Sequence, residues 1–340
     1  MEITRILSEL CTLCAPSGYE RELGRRVAEL MEPLCDGVSR DRLGNVHGVR
    51  RAKGAGAPKI LMSAHMDEIG FMVTKLEEGF LRFRSIGGVD PRVLPAREVT
   101  VLCDPPLHGV ISSIPPHLQT AEESKKAMEQ DDLCIDIGFS REEAEKRVKV
   151  GSLAVFSERC LPLGERLFSG KALDDRACVV MLLRVLELLE GKEIDAELII
   201  QASVQEEVGA RGAQTGGYAE APDYAIAVDV CHAETPDGQK DRTLKQGAGV
   251  PVSLGPNTNR RLANKLIELC GTHNLGYQPE VMEGKSGTDA NTMQVAALGT
   301  ATVIISLPLK YMHTAVEVIN LDDLEAGAKL LSEFVLSFSS

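Results

Sequence analysis

After Gly170 the chain alternates short apolar runs with longer stretches of helical periodicity. That alternation restricts it to α/β folds in which helices cover a sheet and ligands bind at strand ends. The predicted order is helix 175–189, strand 196–203, a helix near 209–218 and strand 224–228. Helix 258–270, a strand near 278–282, helix 289–297, strand 301–306 and helix 322–336 complete it. No repeat at a fixed period is visible, which excludes a solenoid or propeller.

The first thirty-odd residues read as two helices separated by residues 15–18, with Ser17 placed to cap a helix over 20–34. Gly44 and Asn45 form a hairpin-like break, and 59–64 is a short buried strand that ends at His65. Between 69 and 163 the texture changes to short β-like runs (71–73, 81–83, 99–102, 109–111 and 133–135) punctuated by proline and glycine. This predicts a small β-rich domain over 69–163, inserted into a larger domain made of 1–68 and 164–340. The charged stretch 122–132 is expected to be an exposed loop.

A length of 340 residues with 44% hydrophobic content is enough to bury a substantial core. The net charge of −13 repels polyanions and disfavours nucleic acid as a partner. No apolar stretch approaches the roughly 18 residues of a membrane span, and the amino end lacks the pattern of a secretory signal, so a cytoplasmic protein is expected. Nine scattered cysteines fit reduced thiols. Cys11 and Cys14 have redox or zinc spacing, but they follow the apolar rhythm of a helix and read as core packing.

Five positions place metal-binding side chains at the ends of apolar strands or the start of an apolar helix. These are His65 with Asp67, Asp174, Glu206 with Glu207, Asp229 and His313. Two histidines and several carboxylates, with no paired thiolates, suit a catalytic site for zinc, cobalt or manganese rather than a structural zinc site. Asp67, two residues beyond His65 on an extended segment, would lie on the same side and accept the ring proton from the nitrogen facing away from the metal. Glu68 would face the other way and serve structure. Glu206 and Glu207 diverge if their segment is extended. His47, His108, His117 and His273 have no companion ligands and read as structural. The glycines lack the spacing of a phosphate-binding loop.

The segments Ala64-His65-Met66-Asp67-Glu68-Ile69-Gly70-Phe71, Ala172-Leu173-Asp174-Asp175-Arg176, Gln205-Glu206-Glu207-Val208-Gly209, Ala227-Val228-Asp229-Val230 and Tyr311-Met312-His313-Thr314 occur in that order. Together they resemble the glutamyl and deblocking aminopeptidase family of two-metal exopeptidases, some of which carry an older cellulase label. The resemblance covers essentially the whole chain. It implies an α/β fold with a mixed-sheet, zinc-peptidase-like α/β/α catalytic domain and an inserted β-rich domain that mediates dimerisation and higher assembly. It also implies short peptides as substrates and a homo-oligomer, either a dimer or a dodecamer built from dimers.

By position, the resemblance implies two divalent ions per subunit (Zn, Co or Mn), with Asp174 as the bridging carboxylate. His65 and Asp229 complete one metal, and Glu207 and His313 the other. The nucleophile is then a hydroxide shared by ions roughly 3.5–4 Å apart, with Glu206 as general base. The Asp174–Asp175 peptide bond is expected to be cis. After Asp229 the family continues with small residues and a further aspartate, whereas this chain has Cys231-His232-Ala233-Glu234. Cys231 and His232 are therefore open to reading as extra ligands, pocket lining or packing. The loop 285–290 either lies beside substrate, as the resemblance implies, or caps the following helix through Ser286 or Thr288. Two alternatives remain: a glycoside hydrolase using Glu206 and Glu207, and a noncatalytic oligomeric scaffold of the same fold. Diverging side chains on a strand disfavour the first, and the complete ligand set disfavours the second.

Overall fold

The computed structural model describes residues 2–120, 128–157, 159–236 and 238–338. Helix α1 (Ile3–Thr12) buries Ile6, Leu7, Leu10 and Cys11, one apolar face at helical spacing. Cys14 lies beyond the end of α1 and is partly exposed, and all nine cysteines are free thiols. Helix α2 (Arg21–Met31) is shorter than predicted, because a single 3-10 turn containing Pro33 follows it. Ser17 does not cap α2, which starts after Glu20; the Ser17 hydroxyl instead donates to Asp67 Oδ2 at 2.6 Å.

Strands β1 (Gly37–Arg40) and β2 (Val46–Arg50) pair antiparallel around a turn in which Asp41 Oδ1 accepts the amides of Leu43, Gly44 and Asn45. Strand β3 (Lys59–His65) follows, and its alternation explains the layering. Ile60, Met62 and Ala64 enter the larger core, whereas Leu61 packs with Ala213, Ala290 and Met293 on the opposite face.

Six strands then form a closed barrel: β4 (Gly70–Glu77), β5 (Phe80–Ile86), β6 (Glu98–Leu102), β7 (Leu107–Ser112), β8 (Cys134–Asp136) and β9 (Leu153–Phe156). Helix α3 (Arg141–Arg147), capped by Ser140, lies between the last two. Phe71 packs edge-on against Phe83 and Phe156, with ring centroids 5.1 and 5.2 Å away. Removing each such ring from water contributes about 1.5–3 kcal/mol, enough to give the barrel its own core. Of the charged stretch 122–132, residues 122–127 lie outside the described residues; Gln130–Asp132 form one 3-10 turn with Asp131 and Asp132 exposed.

The chain returns through β10 (Leu161–Leu163) and β11 (Leu167–Gly170) to α4 (Leu173–Leu188), β12 (Glu197–Ser203), α5 (Arg211–Glu220) and β13 (Tyr224–His232). Strand β14 (Val250–Leu254), helix α6 (Arg260–Thr272), strand β15 (Tyr277–Val281), helix α7 (Ala290–Met293), strands β16 (Ala301–Lys310) and β17 (Glu317–Asn320), and helix α8 (Leu321–Leu336) complete it. Among the described residues, eleven strands form one mixed sheet whose centre, β12-β3-β13-β16, is parallel; antiparallel pairs flank it on both sides, and β14, antiparallel to β16, carries β15 in parallel. The fold is thus the expected mixed-sheet α/β architecture with a small β-domain. No described helix is long and apolar enough to cross a membrane.

Four elements in this part of the chain depart from the sequence expectation. The helix predicted over 289–297 shrinks to α7, since Asp289 is drawn into the core by Ser63 and Ser203 and Ala297 adopts a left-handed φ of 50°. Strand β16 runs past Ser306 because Leu307 and Leu309 still fill the core. Strands β14 and β17 had no counterpart in the predicted order.

Candidate metal centre

Parallel neighbours bring the carboxyl ends of β3 and β12 together, and His65 and Ser203 occupy the same register position. Asp229 lies within β13 rather than beyond it, because that strand continues to His232. Asp174 stands at the start of α4 and is joined to Asp175 by a cis peptide bond. Its backbone and that of Asp175 are non-helical, so regular helix begins at Arg176. His313, with φ of 59°, sits in the turn between β16 and β17.

These positions converge on Asp174. His65 Nε2 lies 3.1 Å from Asp174 Oδ1, while His313 Nε2 lies 3.3 Å from Asp174 Oδ2 and 3.4 Å from Glu207 Oε1. The two oxygens of one carboxylate thus face two different imidazoles. Ligand atoms of His65, Asp174 and Glu207 all fall within 4.8 Å of one another, as do those of His65, Asp175 and Asp229. Asp175 therefore joins the cluster, although it was not among the expected ligands. Its Oδ2 accepts the His65 amide at 3.2 Å, and its buried Oδ1 has no partner.

The protonation of this cluster shows what it lacks. Burial, reinforced by the Asp289, Glu207 and Asp67 charges, pushes Glu206 up to about 8. Burial and the Asp174 charge push Glu207 up to about 7. Asp229 is raised by burial and by Asp175. Burial opposes charge on His313, yet hydrogen bonding to Asp174 and the Glu207 charge bring it to about 9. Despite its burial, Asp174, hydrogen-bonded to His313 and His65, is instead held well below its ordinary range, and no lysine or arginine among the described residues pairs with the raised carboxyls. Nitrogen and oxygen donors short of positive charge at this spacing fit divalent cations.

A further shell of contacts holds the ligands in place. Asp67 accepts the amides of Glu206 at 3.0 Å and Glu207 at 3.2 Å, besides the Ser17 hydroxyl. Burial disfavours its charge, but His65 outweighs that and keeps the Asp67 carboxyl below its ordinary range. His65 Nδ1 is closer to the Asp67 backbone carbonyl, at 3.2 Å, than to its carboxylate, at 3.5 Å. The side chain expected to orient the imidazole thus spends most of its hydrogen bonding on the glutamate turn. That segment is not extended: Gln205 has φ of 58°, and the Glu206 carbonyl accepts the amides of Gly209 and Ala210. We expect Asp67→Ala to lower metal-dependent activity about 10–100-fold by loosening this turn. A steady-state rate within twofold of the parent would remove Asp67 from that role.

Sequence reasoning passed over two other supports. Buried Glu317 accepts the Asp174 amide through Oε2 and the His313 amide through Oε1, both at 3.0 Å. Its signal was an acid inside the apolar run Val316-Glu317-Val318-Ile319. The His313 ring bonds through Nδ1 to the Gly88 carbonyl at 2.6 Å, which leaves Nε2 facing Asp174. The segment after β5 thus reaches the site, although none of the proposed ligands comes from it. A Cβ at Gly87, where φ is +77°, would stand 3.0 Å from Glu207 Oε2.

The cluster opens into a cavity of about 890 Å³, lined also by Cys231, His232, Ser286 and Thr288. Cys231 and His232 therefore belong to its wall. Thr288 Oγ1 also accepts the Ala290 amide at 3.3 Å, at the start of α7. Glu68 points the other way, into a buried ion-pair cluster with Lys171 and Arg176. Away from the cavity, His47 is paired with Glu220 and His273 with Glu333.

Residues 44–330 match the family model for M42 glutamyl aminopeptidase. Lysyl aminopeptidase of Pyrococcus furiosus is 36% identical over 321 residues, covering 92% of this chain and 91% of the relative. An aminopeptidase from the archaeon Desulfurococcus kamchatkensis superposes with a TM-score of 0.92 at 36% identity, covering 99% and 95% of the two chains. The TET1 peptidase of Pyrococcus horikoshii, described as assembling into a tetrahedron or a large octahedral shell, gives 0.86 at 34% identity, covering 98% and 99%. These likenesses support peptide-bond hydrolysis as the reaction class. With a match over most of its length and relatives this similar along the whole chain, the protein belongs to the M42 glutamyl aminopeptidase family.

Proposed function

We propose that the cavity removes single residues from the free amino end of short peptides, using two divalent cations per subunit (zinc, cobalt or manganese). The family is metal-dependent. The observation that carries the two-ion reading is Asp174, whose oxygens face His65 on one side and His313 with Glu207 on the other. His65, Asp229 and one Asp174 oxygen would hold the first ion; Glu207, His313 and the other Asp174 oxygen would hold the second. Bound there, the ions supply polarisation of the scissile carbonyl and activation of a water.

The chain's own groups do the rest. Glu206 lines the cavity, takes the proton of the attacking water on its carboxylate and delivers it to the departing amine nitrogen. Asp67 holds the turn that aims Glu206 and Glu207, and Glu317 holds the backbone of Asp174 and His313. The acids left over around the cavity favour a cationic amino end. A homo-oligomer assembled through the 69–163 domain accompanies this reading, supported by the assemblies described for the P. horikoshii relative.

The test is a panel of amino-acid anilides with metal-reconstituted protein. Release of anilide that a chelator abolishes, and that added zinc, cobalt or manganese restores, is the expected result. Turnover that survives complete removal of metal, verified by atomic spectroscopy, would end the metal-centred reading.

A further inference from the structure

Beyond the ligand candidates and Glu206, the cavity wall carries three acids, Asp241, Glu280 and Glu283, and two bases, Arg242 and Lys285. Four of these are exposed, where water weakens any attraction they exert. Glu280 differs. It is largely covered, and it sits on β15 with its side chain turned toward the sheet, where Ser306 Oγ donates to its Oε2 at 2.6 Å. Ser306 is buried and stands beside Asp229 in the β13–β16 ladder. Among the described residues Ser306 is its one hydrogen-bond donor and no cation pairs with it. The other oxygen, Oε1, is left without a partner next to the cavity.

Geometry supplies the substrate side. Cys231 follows Asp229 by two residues on β13, so it lies on the same face and about 6.6 Å further along. Glu280 is tied to Ser306, which stands level with Asp229, and its charge acts on Cys231, so its carboxylate lies near both positions. A substrate residue whose amino group lies near Asp229 would run its methylenes past Cys231 and bring a terminal cation to Glu280. A glutamyl side chain on the same path would set two carboxylates against each other.

We propose that Glu280 selects the residue at the amino end of the substrate by accepting the terminal ammonium of a basic side chain, lysine above all. This rests on the aminopeptidase reading above. Membership alone does not decide it, since the family takes its name from glutamyl specificity and the P. furiosus relative from lysyl. A recessed carboxylate with one fixed oxygen gains a charge-assisted bond from lysine and nothing from an uncharged isostere.

The experiment compares kcat/KM for lysyl, norleucyl and glutamyl anilides, using the metal-loaded parent and Glu280→Gln. Norleucine keeps the length of lysine without its ammonium. The parent should prefer lysyl over norleucyl by at least about 30-fold, with glutamyl poorest, and Glu280→Gln should bring the lysyl/norleucyl ratio near one. This ratio is insensitive to a loss of folded protein. Equal rates for lysyl and norleucyl in the parent, a preference for glutamyl, or a ratio unchanged in the variant would each overturn the assignment. Calorimetry with lysinamide and norleucinamide separates the two levels of inference. If no anilide is cleaved but lysinamide binds more tightly in a Glu280-dependent way, the peptidase reading falls and the recognition role of Glu280 stands.

Discussion

Glu206→Gln should lower kcat about 10²–10⁴-fold, the range for losing a positioned general base, while the protein still binds two metal ions per chain. Glutamine preserves the size of the side chain. The turn also survives, because the bond from Asp67 goes to the Glu206 backbone amide rather than to its carboxylate. What is lost is the ability to hold a proton between water and the leaving amine. In the proposed mechanism Glu206 serves the proton transfer rather than substrate binding, so KM should change only a few-fold. Glu207→Gln provides the contrast: Glu207 faces His313, so its loss should reduce metal content together with rate. Parallel measurements of turnover and metal by atomic spectroscopy separate the two glutamates. Turnover of Glu206→Gln within tenfold of the parent would remove Glu206 from its role.

Much of this site was legible because it lies where parallel strands end. A buried parallel strand reads as an unbroken apolar run, so the first polar residue after it marks the sheet edge at which ligands bind. His65 at the end of β3 and the Glu206–Glu207 pair after β12 were visible in this way, and the family resemblance ordered them. The conformation of the glutamate pair was not visible. It depends on the left-handed Gln205 and on amide bonds to Asp67, a residue 139 positions away in sequence. Ser17 was misread for the same reason. A serine ahead of a helix matches a cap locally, but α2 starts only after Glu20, and the Ser17 hydroxyl donates across the fold to Asp67.

The roles of Glu280 and Glu317 were not legible, for a different reason. Each is an acid in a strand of only four or five residues, too short for periodicity to show which way it faces. Their roles come from neighbours in the sheet, Ser306 for Glu280 and the amides of Asp174 and His313 for Glu317. Barrel closure is likewise a matter of pairing. The β-like runs 71–73, 81–83, 99–102 and 109–111 fall in barrel strands and 133–135 begins one residue before β8, but the order β4-β5-β8-β7-β6-β9 follows from long-range contacts. Glycines 87 and 88 connect this barrel to the centre, through a tight approach to Glu207 and a carbonyl offered to His313.

The largest expected effect on stability comes from the residue next to Asp67. Glu68→Ala should lower the free energy of unfolding by about 3–5 kcal/mol, because it leaves two buried cations without their counter-charge. Lys171 Nζ lies 2.6 Å from Glu68 Oε2 and Arg176 Nη2 lies 2.9 Å from Oε1, where the Ala15 amide also donates. Arg176 is fully buried, and its other donors already serve the carbonyls of Met66, Leu10, Cys11 and Leu13. It cannot turn to water, and removing the carboxylate also orphans the Ala15 amide. Burial alone would raise the Glu68 pKa, but Arg176 and then Lys171 overcome it and hold the carboxyl below its ordinary range. A carboxyl lowered in the folded state stabilises fully above its unfolded value of about 4.3 and loses that contribution as pH falls through the folded value. The difference between parent and variant should therefore be constant from neutral pH down to about pH 5 and shrink only in stronger acid. Urea denaturation at several pH values reads both quantities, and a difference below about 1 kcal/mol at pH 7 would show that the cluster does not hold this part of the fold together. Lys171→Met in the Glu68→Gln background removes the second charge as well, and it should recover part of the loss by relieving the repulsion between Lys171 and Arg176.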